Sequence, residues 1–272
     1  MRYHALAADY DGTLAHHGRV DAATLTALRR LKETGRKLVL VTGRELDELR
    51  GVFPEIGLFD RVVAENGALL YRPEGREAQA LGEPPPREFV ERLRRRGVGP
   101  ISCGRVIVAT WEPHQTAVLE VVRAMGLELQ VIFNKGAVMV LPSGVNKATG
   151  LKVALNELGL SPHNVVSVGD AENDHAFLAS SECAVAVANA LDTLKPRTDW
   201  VTSGDHGRGV VELIERLEAS DLAELEPRLA RHHILIGTTA DGKEFRVAPY
   251  GRSILVAGTS GSGKSTLTTG VL

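Results

Sequence analysis

The segment KLVLVT at 37–42 constrains this chain more than any other stretch. Leu38 to Val41 are apolar without alternation, the pattern of a parallel strand covered on both faces, and such strands require helical crossovers. The crossovers are legible on either side. YHALAA at 3–8 reads as a preceding buried strand that runs into the polar loop DYDGT. DAATLTALRRLKETG follows as a helix, with Asp21 as N-cap, Leu25, Leu28 and Leu31 on one face, and Gly35 just past the end. TGRELDELRGVF opens another helix, and Arg61–Ala64 and Ala68–Tyr71 supply short strands around ENG. The order strand, helix, strand, helix predicts an α/β fold built on a Rossmann-like parallel sheet.

That order breaks at RPEGREAQALGEPPP, whose prolines and glycines read as a hinge or linker. From Arg87 to Leu141 the pattern becomes helix, strand, helix and two adjacent strands joined through Asn134 to Gly136, which predicts an inserted α+β subdomain. Met125 and Met139 read as its core. The first pattern then resumes through NKATGLKVALNELG, VVSVGD, ENDHAFLAS, CAVAV and GRGVVELIERLEAS. Further on, ILIGTTADGKEFRVAP predicts a β-hairpin about its DG turn, and SILVAG a strand entering the last loop. The expected division is a core at 1–82 and 144–218, an insert at 83–143, a linker at 219–231 and a last segment at 232–272.

Composition excludes more than it assigns. A net charge of −2 gives no reason to expect nucleic acid or an anionic membrane as partner. No stretch approaches the roughly 18 apolar residues of a membrane span. Cys103 and Cys183 lack metal-ligand spacing and read as free thiols, and the opening MRYHALAADYDG has no leader pattern. A cytoplasmic location is expected. Nothing bears on oligomeric state.

The chemistry concentrates at predicted strand ends. Asp9 and Asp11 follow the first strand, where open α/β sheets bind ligands, although Asp-Gly pairs also mark ordinary turns. Thr42 and Gly43 end KLVLVT, where a hydroxyl and an amide either bind phosphate oxygens or cap the next helix. Lys147 begins a helix, a position at which a cation opposes the helix dipole and is better explained by a facing anion. Asp170 and Asp174 lie in GDAEND at a strand-to-helix turn, where acids are favoured in any case. Asn66 in ENGA is either a substrate contact or a turn residue suited to positive φ. ERLRRR at 91–96 reads as a solvated helix face, and His16 and His17 as surface residues.

DYDGT, VTGR, Lys147 and GDAEND stand in the order and spacing of the haloacid dehalogenase-like (HAD) phosphatases. The chain resembles that superfamily over roughly residues 1–218, and more closely its IIB or Cof-type branch, whose large cap lies between the second and third motifs. The resemblance implies that Asp9 attacks phosphorus to form an aspartyl-phosphate and that Asp11 serves as general acid and base. It implies Mg2+ as cofactor, held by Asp9, Asp170 and the Asp11 carbonyl, with Asp174 in the same metal group. Thr42, Gly43 and Lys147 would hold phosphoryl oxygens, and Asn66 and Asn173 would touch substrate. The implied partner is a small phosphorylated metabolite, a sugar phosphate being favoured because an inserted cap encloses the site. Transfer to a sugar, as in the mutases of that superfamily, stays open.

GTSGSGKS at 258–265 fits the phosphate-loop pattern, with Gly258, Gly263, Lys264 and Ser265 as nucleotide-binding candidates. The hairpin, strand and loop resemble the opening of hexameric translocating ATPases of the FtsK and HerA type. That likeness supplies the alternative function: an ATP-binding motor or regulatory module whose first domain senses a phosphorylated ligand. A loop with only seven residues after Ser265 is expected to be the start of an incomplete domain that binds nucleotide weakly and does not turn over ATP.

Overall fold

The computed structural model describes residues 1–228, 233–247 and 255–271. These form two compact units, Met1–Ala223 and Glu224–Leu272. The first begins β1 (Ala5–Asp9), α1 (Ala22–Glu33), β2 (Lys37–Val41), α2 (Leu46–Val52), β3 (Arg61–Ala64), β4 (Leu69–Arg72) and β5 (Glu77–Ala80). It continues with α3 (Arg87–Arg95), β6 (Ser102–Cys103), β7 (Val108–Trp111), α4 (Gln115–Met125), β8 (Leu129–Asn134) and β9 (Ala137–Pro142). It closes with α5 (Lys147–Glu157), β10 (Val165–Gly169), α6 (His175–Ser180), β11 (Cys183–Ala186), β12 (Trp200–Val201) and α7 (His206–Ser220).

Eight of these strands form one sheet in the order β12-β11-β10-β1-β2-β3-β4-β5. All neighbours from β12 to β3 are parallel, and β4 and β5 are added antiparallel. Every residue of β1, β10 and β11 is buried, which is why these runs carry no polar alternation. β1 lies between β10 and β2, so the chain leaves the centre of the sheet in both directions and a crevice opens beyond the carboxyl ends of these strands. The expected hinge holds a strand that the sequence hid. β5 pairs with β4 from Leu69↔Ala80 to Arg72↔Glu77, and as an exposed edge strand it shows little apolar signal. The two-residue strands β6 and β12 are too short to show any pattern.

A separate sheet, β6-β7-β9-β8, forms the cap. Side chains alternate along β9: Val138 and Val140 pack with Phe89, Leu93 and Val118 beneath α3 and α4, while Met139 and Leu141 face the other way. There they join Ala68, Val106 and Ile107 in an apolar cluster between cap and core. β8 and β9 are joined by Lys135 and Gly136, both at positive φ (48° and 84°), the pattern of a type I′ hairpin turn. After β9 the chain reaches α5 through Asn146. Gly67, at φ 103°, packs so closely there that a Cβ would lie 1.9 Å from the Asn146 carbonyl oxygen.

The second unit contains β13 (Ile234–Thr238), β14 (Glu244–Val247) and α8 (Lys264–Val271). β13 and β14 form the expected antiparallel hairpin. Of the strand expected at SILVAG, Ser253 and Ile254 lie outside the described residues, and Leu255 to Gly258 are not in a strand among the described residues. Residues 229–231 of the expected linker also lie outside the description, and Ala223–Arg228 is a 3-10 helix. Among the described residues no helix is long and apolar enough to cross a membrane.

Candidate active site

Asp9 ends β1 and is 4% exposed at the base of the crevice. Across from it Lys147 begins α5, whose N-terminus is fixed by a capping box between Asn146 and Thr149. The Lys147 ammonium, itself 1% exposed, donates to Asp9 Oδ1 at 2.5 Å and to Asp174 Oδ1 at 2.6 Å. A buried cation at a helix N-terminus is thus explained by its anions, as the sequence suggested. Asp174 Oδ2 accepts from the amides of Asp170 and Ala171 at 2.8 and 2.9 Å. Both Asp174 oxygens are therefore taken, and Asp174 anchors the lysine and the loop. Thr13 donates to Asp170 Oδ1 at 3.1 Å, and Lys135 of the cap hairpin donates to Asp170 Oδ2 at 2.7 Å and to the Asp11 carbonyl at 3.2 Å.

The electrostatics follow from this crowding. Burial pushes the Asp9 carboxyl well above its ordinary value, helped by Asp174 and opposed by Lys147. Burial likewise raises Asp170 against the pull of Lys135. Lys147 is raised because Asp174 and Asp9 outweigh its own desolvation. Three carboxylates, Asp9, Asp170 and Asp174, face two ammonium groups, Lys147 and Lys135, so one negative charge is unbalanced. Oxygens of these three carboxylates lie within 4.8 Å of one another. The Lys135 ammonium marks a point at which one oxygen of this group, Asp170 Oδ2, and the Asp11 carbonyl meet on a cation. Such an all-oxygen, net-negative set fits Mg2+. Gly12 belongs to the same fit, since a Cβ there would lie 2.4 Å from Asp170 Oδ2.

Around this floor stand the other expected residues. Thr42 is fully buried and its hydroxyl accepts the Arg44 amide at 3.1 Å, while Gly43 lines the cleft. Asn66 adopts the left-handed conformation (φ 54°), as its turn reading required, and its Oδ1 accepts from Asn173 Nδ2 at 2.9 Å. The side-chain nitrogen Nδ2 of Asn66 and the Asn173 Oδ1 are buried without partners. Two residues of the site were missed in the sequence. Arg44 clamps Asp11 through both carboxylate oxygens, at 2.6 and 2.7 Å, and also contacts Glu48. Its position directly after Thr42-Gly43 was the available signal. Lys135 gave none, because its meaning depends on the cap folding over the core.

The roof of the cleft comes from the cap. The enclosed space is about 390 Å³, with Asp9, Asp11 and Asn173 below and Trp111, Lys135 and Met139 above. His16 and His17 are exposed, as expected; their rings lie against each other, and the His16 ring also lies against that of His206. The phosphate-loop candidates belong to the second unit. Gly263 has φ 81°, Lys264 begins α8 and donates to the Thr259 carbonyl at 2.6 Å, Ser265 follows it, and Gly258 lies before the turn.

A parallel sheet with paired aspartates beyond its central strand, a buried lysine opposite them and an inserted cap define a phosphoryl-transfer architecture. The chain belongs to the haloacid dehalogenase-like hydrolases: the family model matches residues 6–84 and 120–214. It is a phosphatase of that family. Among curated proteins it is similar to a phosphoglycolate phosphatase of Methanothermobacter thermautotrophicus, 33% identical over 78% of this chain and 97% of the relative. It is also similar to one of Aeropyrum pernix, 28% identical over 78% of this chain and 92% of the relative. A solved structure from Thermoplasma acidophilum has a TM-score of 0.70 at 17% identity, covering 80% of this chain and 99% of its own. A sugar phosphatase of HAD subclass IIB has a TM-score of 0.65 at 19% identity, covering 79% of this chain and 98% of its own. These two likenesses show the fold.

Proposed function

We propose that the protein is a Mg2+-dependent phosphomonoester hydrolase that acts on a small phosphorylated carboxylic acid through an aspartyl-phosphate. The observation that carries this reading is the buried Lys147 ammonium held between Asp174 and Asp9, the latter lining the floor of a roofed cleft. With Oδ1 of Asp9 engaged by Lys147, Oδ2 attacks phosphorus; the new bond to Oδ2 forms as the ester oxygen departs. Asp11, which Arg44 holds through both oxygens, leaves that clamp, takes up a proton and gives it to the departing oxygen; as the carboxylate it later takes one from the water that releases phosphate. Lys147, the Gly43 amide and the Thr42 hydroxyl hold the phosphoryl oxygens, and the unpartnered Nδ2 of Asn66 donates to substrate. Asp9, Asp170 and the Asp11 carbonyl would hold Mg2+, which when bound neutralises charge on the phosphoryl group.

Relatives named phosphoglycolate phosphatase, similar over most of the chain, favour a phosphorylated acid. The sugar phosphate expected from the sequence is the second reading, supported at the level of architecture by the subclass IIB sugar phosphatase. Phosphate release from phosphoglycolate, sugar phosphates, nucleotides and p-nitrophenyl phosphate, with Mg2+ and with EDTA, tests the assignment. Phosphoglycolate should show the highest kcat/KM, and EDTA should abolish turnover. No release from any ester would overturn the reading.

A further inference from the structure

The geometry points to Lys135 as the residue that recognises the substrate's carboxylate, an inference that rests on the phosphorylated-acid reading above. Its turn is built to present it. Lys135 and Gly136 form the two-residue tip of the β8–β9 hairpin, and the tip lines the cleft directly above the floor. The side chain is 46% exposed along its length, yet its ammonium reaches Asp170 Oδ2 and the Asp11 carbonyl.

Those two oxygens belong to the set that fits Mg2+, and two cations cannot share them. With a divalent ion there, Asp9, Asp170 and Asp174 contribute three negative charges, and the ion together with Lys147 contributes three positive ones. Those three carboxylates are then balanced without Lys135, whose ammonium is released to face the cleft. A lysine has a flexible four-carbon stem, so its ammonium can leave Asp170 for another anion without moving the hairpin.

The rest of the cleft offers an acid group little else. Arg44 is the other cationic residue lining it and is held by Asp11 and Glu48. Glu45 already accepts from Ser102. The roof around Lys135 is largely apolar, with Ile107, Ala109, Ala137 and Met139, and the Thr110 hydroxyl is engaged by the Pro100 carbonyl. A sugar needs many hydrogen-bonding groups for its hydroxyls. A short acid needs one cation placed across from the phosphoryl site, and Lys135 is that cation.

Binding of non-hydrolysable phosphonates tests this without turnover. Calorimetry with Mg2+ present would compare 3-phosphonopropionate, which carries the acid, with propylphosphonate, which lacks it. The wild-type protein should bind the acid more tightly by about 10- to 100-fold. Lys135→Met should erase that preference, and Lys135→Arg should keep it. Lys135→Glu should instead favour 3-aminopropylphosphonate. Equal affinities in the wild-type protein, or a preference that survives in Lys135→Met, would overturn the inference. Turnover of p-nitrophenyl phosphate in the same preparations reports separately on the phosphatase reading: its absence beside an intact, Lys135-dependent preference would sink that reading and sustain this one.

Discussion

The carboxylate of Glu65, in the core, accepts the backbone amide of Val106, in the cap, at 2.7 Å. The same carboxylate takes the amides of Arg105 and Ile107 at 2.9 and 3.0 Å, and Glu65 is 1% exposed. One buried acid thus gathers three consecutive donors of the partner layer. Gly104 makes this approach possible, since a Cβ there would lie 2.6 Å from the carboxylate carbon.

Glu65→Ala should therefore loosen the cap and lower stability by about 2–3 kcal/mol, because three buried donors lose a charged acceptor. Gly104→Ala should give the same phenotype from the other side. Urea denaturation and limited proteolysis within residues 85–140 would register both changes. Wild-type stability and proteolysis in either variant would contradict the clamp.

Asp9→Asn and Lys147→Met should separate chemistry from folding. Asp9→Asn removes the nucleophile and one of three crowded carboxylates, so turnover should fall by about 10³-fold or more while the melting temperature without metal holds or rises. Lys147→Met leaves buried carboxylates unpaired and should destabilise by about 3–5 kcal/mol. Thermal melts and phosphate release on both proteins would check the contrast.

The raised carboxyls of Asp9 and Asp170 predict how Mg2+ stabilisation depends on pH. A carboxyl that holds its proton more tightly when folded contributes stability that is present at low pH. That stability is lost as pH rises from the ordinary value of 3.8 through the folded one. The protein in EDTA should weaken across that window, and Mg2+, which binds the ionised oxygens, should restore it. The melting-temperature gain from Mg2+ should accordingly grow as pH rises above the ordinary carboxyl value. A gain that shrinks with rising pH would contradict the assigned metal set.

Lys264→Ala should leave phosphatase rates unchanged, because the assigned catalytic residues all lie in Met1–Ala223 and Lys264 lies in the other unit. Parallel assays of ATP turnover in this variant and in Asp9→Asn would locate any nucleotide hydrolysis. Activity lost in the first and kept in the second would assign it to the loop.

What the sequence showed and what it hid divide along one physical line. Asp9, Lys147, Asp170 and Asp174 could be named from the sequence because four short motifs stand together at strand ends and helix starts and carry the family resemblance; singly, each aspartate is as well explained by a turn or a cap. β5 was hidden because an exposed edge strand has no apolar face to display. Lys135 and Glu65 were hidden for another reason. Their partners, Asp170 and the amides of 105–107, are distant in sequence, and only the packing of Met139 and Ile107 against Ala68 brings them into reach.

The contact of Gly67 with the Asn146 carbonyl has a mechanical consequence. The strand β9, which carries Ala137 and Met139 of the roof, ends at Pro142, only a few residues before Lys147, so motion of the roof would ordinarily be transmitted to that lysine. Gly67 presses on that path just ahead of Lys147, and Gly150 presses back on Gly67 within the first turn of α5. Any rotation of the roof would fall on Ser143 to Val145, where Gly144 already has φ 81°, and would leave the lysine seated. Roof and floor are thereby free to diverge, so a lineage can exchange the group its roof reads while inheriting the same phosphoryl chemistry below.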